Sequence, residues 1–446
     1  MENKRSAALP PLNDKKTINA WAFFDWANSA YALTITTAIF PGYFEAATLA
    51  EINILGMQIS NSALYAFAIT TSYLILTFIS PFLSGIADYG GKRMTFLRFF
   101  TVLGALSCIG LIFFEGMTTE LSPTDPYNVS QMLIGTICFI LGTIGFAGGL
   151  VFYNSYLPLI ASEDQYDRVS AKGFSYGYIG SLILLAVNLV FILNPEFFGF
   201  NPDGTWVFRI AFLMVGLWWL GFSIIPFTRL PGDDDTKPKK DIIGKGIDEL
   251  KKVMRNVKGQ KNIKGFLASF FFYSAGVQTV LFLATIFAKK ELGFETSALI
   301  TVVILLQVVA IGGAYLFAKI SDAKGNKFSL MIMLVIWVVI CVVAYGVTQA
   351  WEFYAIAGSV GLVMGGVQSM SRSTYSKLLP QNTKDTTSYF SFYDILEKLA
   401  IVSGTFVFGI TDQLFGMRNS ILVLTVFFII GLILLRNVKI VPAEEV

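Results

Sequence analysis

Twelve stretches of about 18 or more largely apolar residues run through this chain, at roughly 18–44, 62–86, 95–116, 130–157, 173–193, 206–228, 265–288, 298–320, 328–348, 353–378, 388–411 and 419–436. That length is what an α-helix needs to cross a bilayer, where every backbone group must find its hydrogen bond inside the segment. Only 14% of the 446 residues are charged, against about 25% in a soluble domain. The expected fold class is an all-α integral membrane protein with twelve transmembrane helices in two six-helix halves.

Lys and Arg set the orientation, because positively charged loops stay in the cytoplasm. By the twelve-span division, 28 of the 33 basic residues fall on the side that holds both termini and four on the other, while Lys398 lies inside a span. Both termini are therefore expected in the cytoplasm. Trp21 at the inner end, and Trp206 and Trp351 at the outer ends, fit an aromatic belt or ordinary lipid-facing tryptophans. The first sixteen residues lack the apolar core of a cleavable signal, so the first span is read as its own insertion signal. The cytoplasmic membrane of a bacterium is the expected location, because no long organelle-type loops or tails stand out.

Several chemistries are disfavoured by what the chain lacks. It has no His, so a proton relay could not use imidazole. Cys108, Cys138 and Cys341 are dispersed in apolar spans, which argues against disulfides and a metal cluster. No G-x-x-x-x-G-K-[ST] loop is present for ATP-driven pumping. No cofactor is expected beyond a coupling proton or sodium ion, and the net charge of +3 reflects topology, with no nucleic-acid partner implied. A monomer in contact with a small solute and the bilayer is the expected assembly.

The polar stretch 229–264 divides the spans six and six, giving a tail (1–17), a first half (18–228), the linker, a second half (265–436) and a second tail (437–446). The linker opens with "PGDDDTKPKK" and continues with Ile243, Ile247, Leu250, Met254 and Val257 at helical spacing beside Lys251, Lys252, Arg255 and Lys258. This pattern predicts an amphipathic helix on the anionic inner leaflet, or a solvated linker helix. The halves also echo each other. "SGIADYGGKR" carries Asp88, Gly91 and Arg93, and "AKISDAKGNK" carries Asp322, Gly325 and Lys327 at the same spacing. Gly145 and Gly149 in span four match Gly361 and Gly365 in span ten, read as points where those helices bend. Such repeats are expected of a transporter.

Twelve spans with a Gly/Asp/Gly/Arg-type loop after the second resemble the major facilitator superfamily. More narrowly, "WAFFDWANSAYA", "SGIADYGGKR" and "GGVQSMSRSTYSKLLP" with "SYFSFYDILEK" resemble its vacuole-effluxer-like branch, whose fungal members are autophagy-linked vacuolar amino-acid exporters. The resemblance covers nearly the whole chain. Ser84, Ala318 and Tyr89 depart from the superfamily loop pattern. The resemblance implies alternating-access transport of a small polar solute, an amino acid or a related compound. It also implies a central cavity lined by spans one, four, seven and ten, and so points to Asn28, Asn154, Gln278 and Gln368 as substrate-binding amides, although any one amide alone is more often interhelical glue.

Charges inside spans are costly and usually face a protein interior. At helical spacing Asp25, Asn28, Ser29, Ala32 and Thr36 form one stripe, expected to point into the bundle. At similar depth, span ten offers Arg372 with Gln368 and Tyr375 near the same face, and span eleven offers Asp394, Glu397 and Lys398, the first and last an i,i+4 pair. These groups are read as one cytoplasmic-side charge cluster that gates the halves, binds a charged solute through Arg372 and Tyr375, or carries a proton on Asp25, Asp394 or Glu397. Glu45 and Glu115 lie near outer ends and read as interfacial. In the loop motifs, Asp88 or Asp322 is expected to accept bonds from a neighbouring helix N-terminus, and Arg93 or Lys327 to pair across the halves or simply to set topology. A non-transporting receptor and, further off, a lipid-modifying enzyme are the rival classes; the latter usually needs a nucleophile or metal constellation that is not apparent here.

Overall fold

In the computed structural model, which describes residues 10–441 apart from 55–56, 202–203, 235–240 and 382, the apolar stretches form twelve long helices. In the first half these are helix 1 (Lys15–Ala30, continued as a π-helix Tyr31–Ala38), helix 2 (Asn61–Gly90), helix 3 (Arg93–Gly110), helix 4 (Pro126–Asn154), helix 5 (Tyr166–Leu193) and helix 6 (Trp206–Arg229). The second half has helix 7 (Lys261–Leu292), helix 8 (Thr296–Lys324), helix 9 (Asn326–Tyr345), helix 10 (Ala350–Leu378), helix 11 (Thr386–Phe415) and helix 12 (Met417–Arg436). A linker helix (Ile242–Gly259) lies between them, and a short antiparallel hairpin, Glu51–Ile54 with Met57–Ser60, follows helix 1. Among the described residues nine of the twelve are long and apolar enough to cross a membrane. The other three, helices 1, 7 and 11, carry Asp25, Gln278 and the charged triplet of span eleven.

Local chemistry sets the ends. Asp14 caps helix 1, accepting from the Thr17 N–H at 2.9 Å and its hydroxyl at 2.8 Å, and Gly91 ends helix 2 with φ +64°, a conformation glycine adopts without strain. Helix 1 does not remain α-helical. Past Ala30 the ladder widens to i→i+5, ending in Ile39 N–H to Thr34 C=O at 3.0 Å, where the β-branched run Thr34 to Thr37 disfavours a tight helix. The single stripe read from Asp25 to Thr36 is therefore broken after Ser29: Thr34 and Ile35 are buried, and Thr37 is exposed.

Within the first half, helix 1 packs on helices 5 and 6, and helix 4 on helices 2 and 3. Within the second, helix 7 packs on helices 11 and 12, and helix 10 on helices 8 and 9. The halves meet where helix 5 lies against helices 8 and 10 and where helix 2 lies against helix 11. Of the glycines read as bend points, Gly145, Gly361 and Gly365 stand where a neighbouring helix comes close. A Cβ on Gly145 would fall 2.4 Å from the backbone of Gly104 in helix 3, and one on Gly365 2.2 Å from Ala310 C=O in helix 8. Both helices run unbroken through these sites, so their glycines trade side-chain volume for backbone contact.

The linker helix docks on protein. Gly246 meets Gly85 of helix 2 backbone to backbone, a Cβ on Gly85 falling 2.2 Å from Gly246 C=O. Val253 and Val257 enter the core of the second half, while Ile243, Lys251, Met254, Arg255 and Lys258 are exposed. The apolar stripe read from sequence thus splits between a protein-facing side and an outer side.

Candidate functional site

Helix 1 reaches helix 4 through an aromatic stack. Trp21 and Phe24 lie at 4.6 and 4.7 Å from the Tyr153 ring, and the Trp21 indole N–H donates to Tyr153 C=O at 3.0 Å. The Tyr153 hydroxyl donates to Asp25 Oδ2 at 2.7 Å. Helix 5 closes on the same face with Gly173, Gly177 and Gly180, where a Cβ would strike Asp25, Ser29 and Trp26 at 2.8, 2.5 and 2.6 Å. Bare backbone along helix 5 is what lets a carboxylate fit between the two helices.

Arg372 of helix 10 enters this cage from the other half. Its Nη1 lies 3.4 Å from Asp25 Oδ2 and 3.1 Å from Asn154 Oδ1, Nε donates to the Ser170 hydroxyl at 3.0 Å, and Nη2 to Ser170 C=O at 2.9 Å. Four of the five guanidinium N–H groups are thus engaged. The cation also lies 4.6 Å from the Trp21 ring and 4.2 Å from the Phe174 ring. Arg372 is 2% exposed and Asp25 5%. A buried ion pair is tolerable only when its remaining hydrogen-bond capacity is met, and here Tyr153, Asn154 and Ser170 meet it.

The charges read as one cluster fall into two groups, with no hydrogen bond or ion pair between them among the described residues. In the second, Asp394 and Lys398 pair along helix 11, and Glu397 accepts from Gln278 Nε2 of helix 7 at 3.1 Å. Gln368 accepts from the Tyr178 hydroxyl of helix 5 at 2.6 Å, joining the halves at mid-depth. Asn28 is 1% exposed, and neither atom of its amide has a hydrogen-bond partner among the described residues. Tyr375 does not join Arg372 in the cage. It is buried in the second half with Phe266, Phe390 and Tyr393, its hydroxyl donating to Tyr389 C=O at 2.7 Å, although it stands only about 60° round the helix from Arg372. Trp21, read as an interface residue, is fully buried under Arg372, whereas Trp206 and Trp351 are exposed.

The two loop motifs do different work. Asp88 accepts from the Thr387 and Ser388 N–H groups at the start of helix 11, at 3.2 and 2.7 Å, and Arg93 bridges to the Thr386 and Thr387 hydroxyls at 2.7 and 2.9 Å. Asp322 instead pairs with Arg168 of helix 5 at 2.8 Å. Lys327 does not cross the halves; it donates to Val438 C=O at 2.9 Å within its own half. In its place Asn326 Nδ2 and the Ser321 hydroxyl donate to Asp167 at 2.7 and 2.8 Å, and Lys377 pairs with Asp167 at 2.9 Å.

All these bonds lie at the end of the bundle that holds the linker helix. Among the described residues the ion pairs joining the halves are Asp25–Arg372, Asp167–Lys377 and Arg168–Asp322, with Lys252 of the linker helix pairing to Asp385 before helix 11. At the far end Glu115–Arg209 and Glu291–Arg418 each stay within one half. Sequence reading passed over Tyr153, Ser170, Phe174, Asp167 and Lys377. The glycine triplet at spacing four and three in "GFSYGYIG" was the signal that helix 5 presses on a neighbour.

Residues 13–444 match the family described as vacuole effluxer Atg22 like. An uncharacterized MFS-type transporter, YxiO, of Bacillus subtilis is 30% identical over 95% of each chain. Autophagy-related protein 22 of Kluyveromyces lactis is 26% identical over 96% of this chain and 94% of that one. Among solved structures, the human organic anion transporter MFSD10 superposes with a TM-score of 0.70 at 13% identity, over 96% of this chain and 100% of that one. The major facilitator transporter FucP in the outward conformation gives 0.66 at 15%, over 97% and 99%. At such identities the structural likeness speaks for fold alone, and the fold is that of the major facilitator superfamily.

Proposed function

The chain belongs to the vacuole effluxer Atg22-like family of MFS-type transporters, and we propose that it moves a small polar solute, an amino acid or close relative, by alternating access. The observation that carries this reading is the one-sided closure: the inter-half ion pairs gather at the linker end. Two halves bolted at one end and held at the other mostly by packing form the bistable element that a rocking transporter needs. The excess of positive residues at the linker end supports reading it as the cytoplasmic end, and on that reading the state described here is shut towards the cytoplasm. The membrane is that of a bacterial cell, with the exposed Lys251, Arg255 and Lys258 of the linker helix facing its anionic inner leaflet.

Arg372 acts in this state as a bolt, its donors already engaged by Asp25, Asn154 and Ser170. Solute contact falls to the amides at mid-depth, Gln278, Gln368 and Asn28. Proton coupling is assigned to Glu397, a partly exposed carboxylate whose hydrogen-bond partner is the neutral Gln278; Asp394 is held by Lys398 and Asp25 by Arg372. A cation-paired carboxylate resists protonation more than one held by an amide.

Counterflow of labelled amino acids into proteoliposomes, with and without an inward proton gradient, tests both parts. The expected result is flux that the gradient raises in the wild type and leaves unchanged in Glu397→Gln, with exchange retained in the variant. No flux of any amino acid would remove the solute assignment; a gradient response surviving in Glu397→Gln would remove the coupling assignment.

A further inference from the structure

We propose that a cationic cleft between the starts of helices 1 and 5 binds the phosphate headgroup of an anionic phospholipid. The cleft encloses about 420 Å³ and is lined by Asn13, Lys15, Asn19, Gln165, Arg168 and Lys172, with Ile18 and Val169 beneath. Three cations and no carboxylate face this space. The acids nearby in sequence are engaged: Asp14 accepts from Thr17, and Asp164 from the Ser162 hydroxyl and Gln165 Nε2 at 2.5 and 2.7 Å. Lys15 makes no ion pair among the described residues, and Lys172 bonds only to the neutral Asn19 amide oxygen. Arg168 alone has a counter-ion, Asp322 of the second half.

The cleft is built, not a chance meeting of surface lysines. Asn13, held at φ +66°, donates through its backbone N–H to Ile160 C=O at 2.9 Å and through Nδ2 to the Ser162 hydroxyl at 2.8 Å, while its Oδ1 accepts from Ser162 N–H at 3.0 Å. That double clasp fixes the start of helix 1 beside helix 5. Both helices begin beside this space.

An apolar path leads from the cations along the bundle and selects a lipid over a free anion. Lys172 lies 5.6 Å from the Tyr176 ring, Tyr176 meets Phe23 edge-on at 5.5 Å, and Phe23 continues to Trp26 and Phe222 at 5.8 and 6.4 Å. These rings are half-buried and line the groove among helices 1, 5 and 6. A headgroup phosphate among three cations with an acyl chain along this aromatic strip satisfies both chemistries at once. Because Arg168 also pairs with Asp322, the bound lipid would sit beside one of the bolts between the halves.

The test uses the purified full chain in zwitterionic micelles, reading the shift in thermal unfolding midpoint as phosphatidylglycerol, phosphatidylcholine or inorganic phosphate is added. Phosphatidylglycerol alone should raise the midpoint saturably. In Lys15→Gln/Lys172→Gln the half-saturating lipid concentration should rise about tenfold or more, from the loss of two cations next to one phosphate; Lys15→Arg/Lys172→Arg should restore it, and Lys289→Gln/Lys290→Gln at the exposed end of helix 7 should leave it unchanged. An unaltered response in Lys15→Gln/Lys172→Gln, loss of the response in the helix 7 variant, or an equal shift with inorganic phosphate would each overturn the proposal.

Discussion

Asp25 and Arg372, 347 positions apart, meet at 3.4 Å inside a cage of Trp21, Tyr153 and Phe174, and neither has solvent to fall back on. Removing one partner leaves a buried charge without its complement, a loss of about 3–5 kcal/mol in comparable buried pairs. Arg372→Ala is therefore expected to destabilise the shut state by that order and to expose the linker end. Asp25→Asn, which keeps an oxygen for Tyr153, should cost less. The double variant Asp25→Ala/Arg372→Ala should cost less than the sum of the two alanine variants. Thermal unfolding, with cysteine accessibility at the buried position 388 at the start of helix 11 as the conformational readout, checks the cycle; strict additivity would show that the two residues do not act on each other.

The two loop motifs look alike in sequence but should not respond alike. Asp88 is sealed against helix 11 and accepts two of its backbone N–H groups, so Asp88→Ala leaves those donors unmet at a cost of about 1–3 kcal/mol. Asp322 sits in a partly exposed pair with Arg168, a setting worth about 0–1 kcal/mol. Transport and linker-end accessibility should change strongly in Asp88→Ala and weakly in Asp322→Ala; equal effects would contradict the asymmetry seen between the halves.

Periodicity and charge placement made the architecture legible, because an apolar run of bilayer length has few other folds open to it. The site was legible only in part. Asp25 and Arg372 stand out as charges within apolar runs, yet Trp21 and Tyr153 look like any interfacial aromatics until the cage is assembled. Counting turns puts Tyr375 within about 60° of Arg372, and what separates them is the aromatic neighbours of the second half that take up its ring; the stripe below Asp25 failed because a π-helix changes the turn itself. Of the two roles open to Lys327, pairing across the halves is not the one seen: motif symmetry implies a shared ancestry of loops, while the bond each basic residue makes depends on which helix end lies opposite.

Linker docking depends on the absence of side chains at Gly85 and Gly246. A Cβ on Gly85 would lie 2.2 Å from Gly246 C=O, and backbone cannot give way as a flexible side chain can. Gly85→Leu should release the linker helix while leaving the helical bundle folded. Faster limited proteolysis within 242–259, with an unchanged helical signal, is the expected outcome; wild-type protease resistance would show that the helix is held elsewhere.

The same latch should respond to pH. Asp385 is pushed up to about 7, first by burial, then by a hydrogen bond shared with the Glu249 side chain and by the charge of Asp88, with Lys252 pulling the other way. Docking raises this carboxyl above its ordinary value, so the docked state prefers the protonated acid. Docking is therefore strongest below the ordinary carboxylate range, weakens as pH climbs from there towards about 7, and levels off once the docked carboxyl has ionised too. Asp385→Asn mimics the protonated form and should hold the linker helix with little change between mildly acidic and mildly alkaline buffer. Glu249→Gln should lower the midpoint by removing a competing carboxylate, and Lys252→Gln should raise it by removing the compensating cation. Distances between spin labels on the linker helix and at the end of helix 2 report docking directly. A wild-type distance distribution that does not change across this range would mean that the latch is set by packing on Gly85 alone.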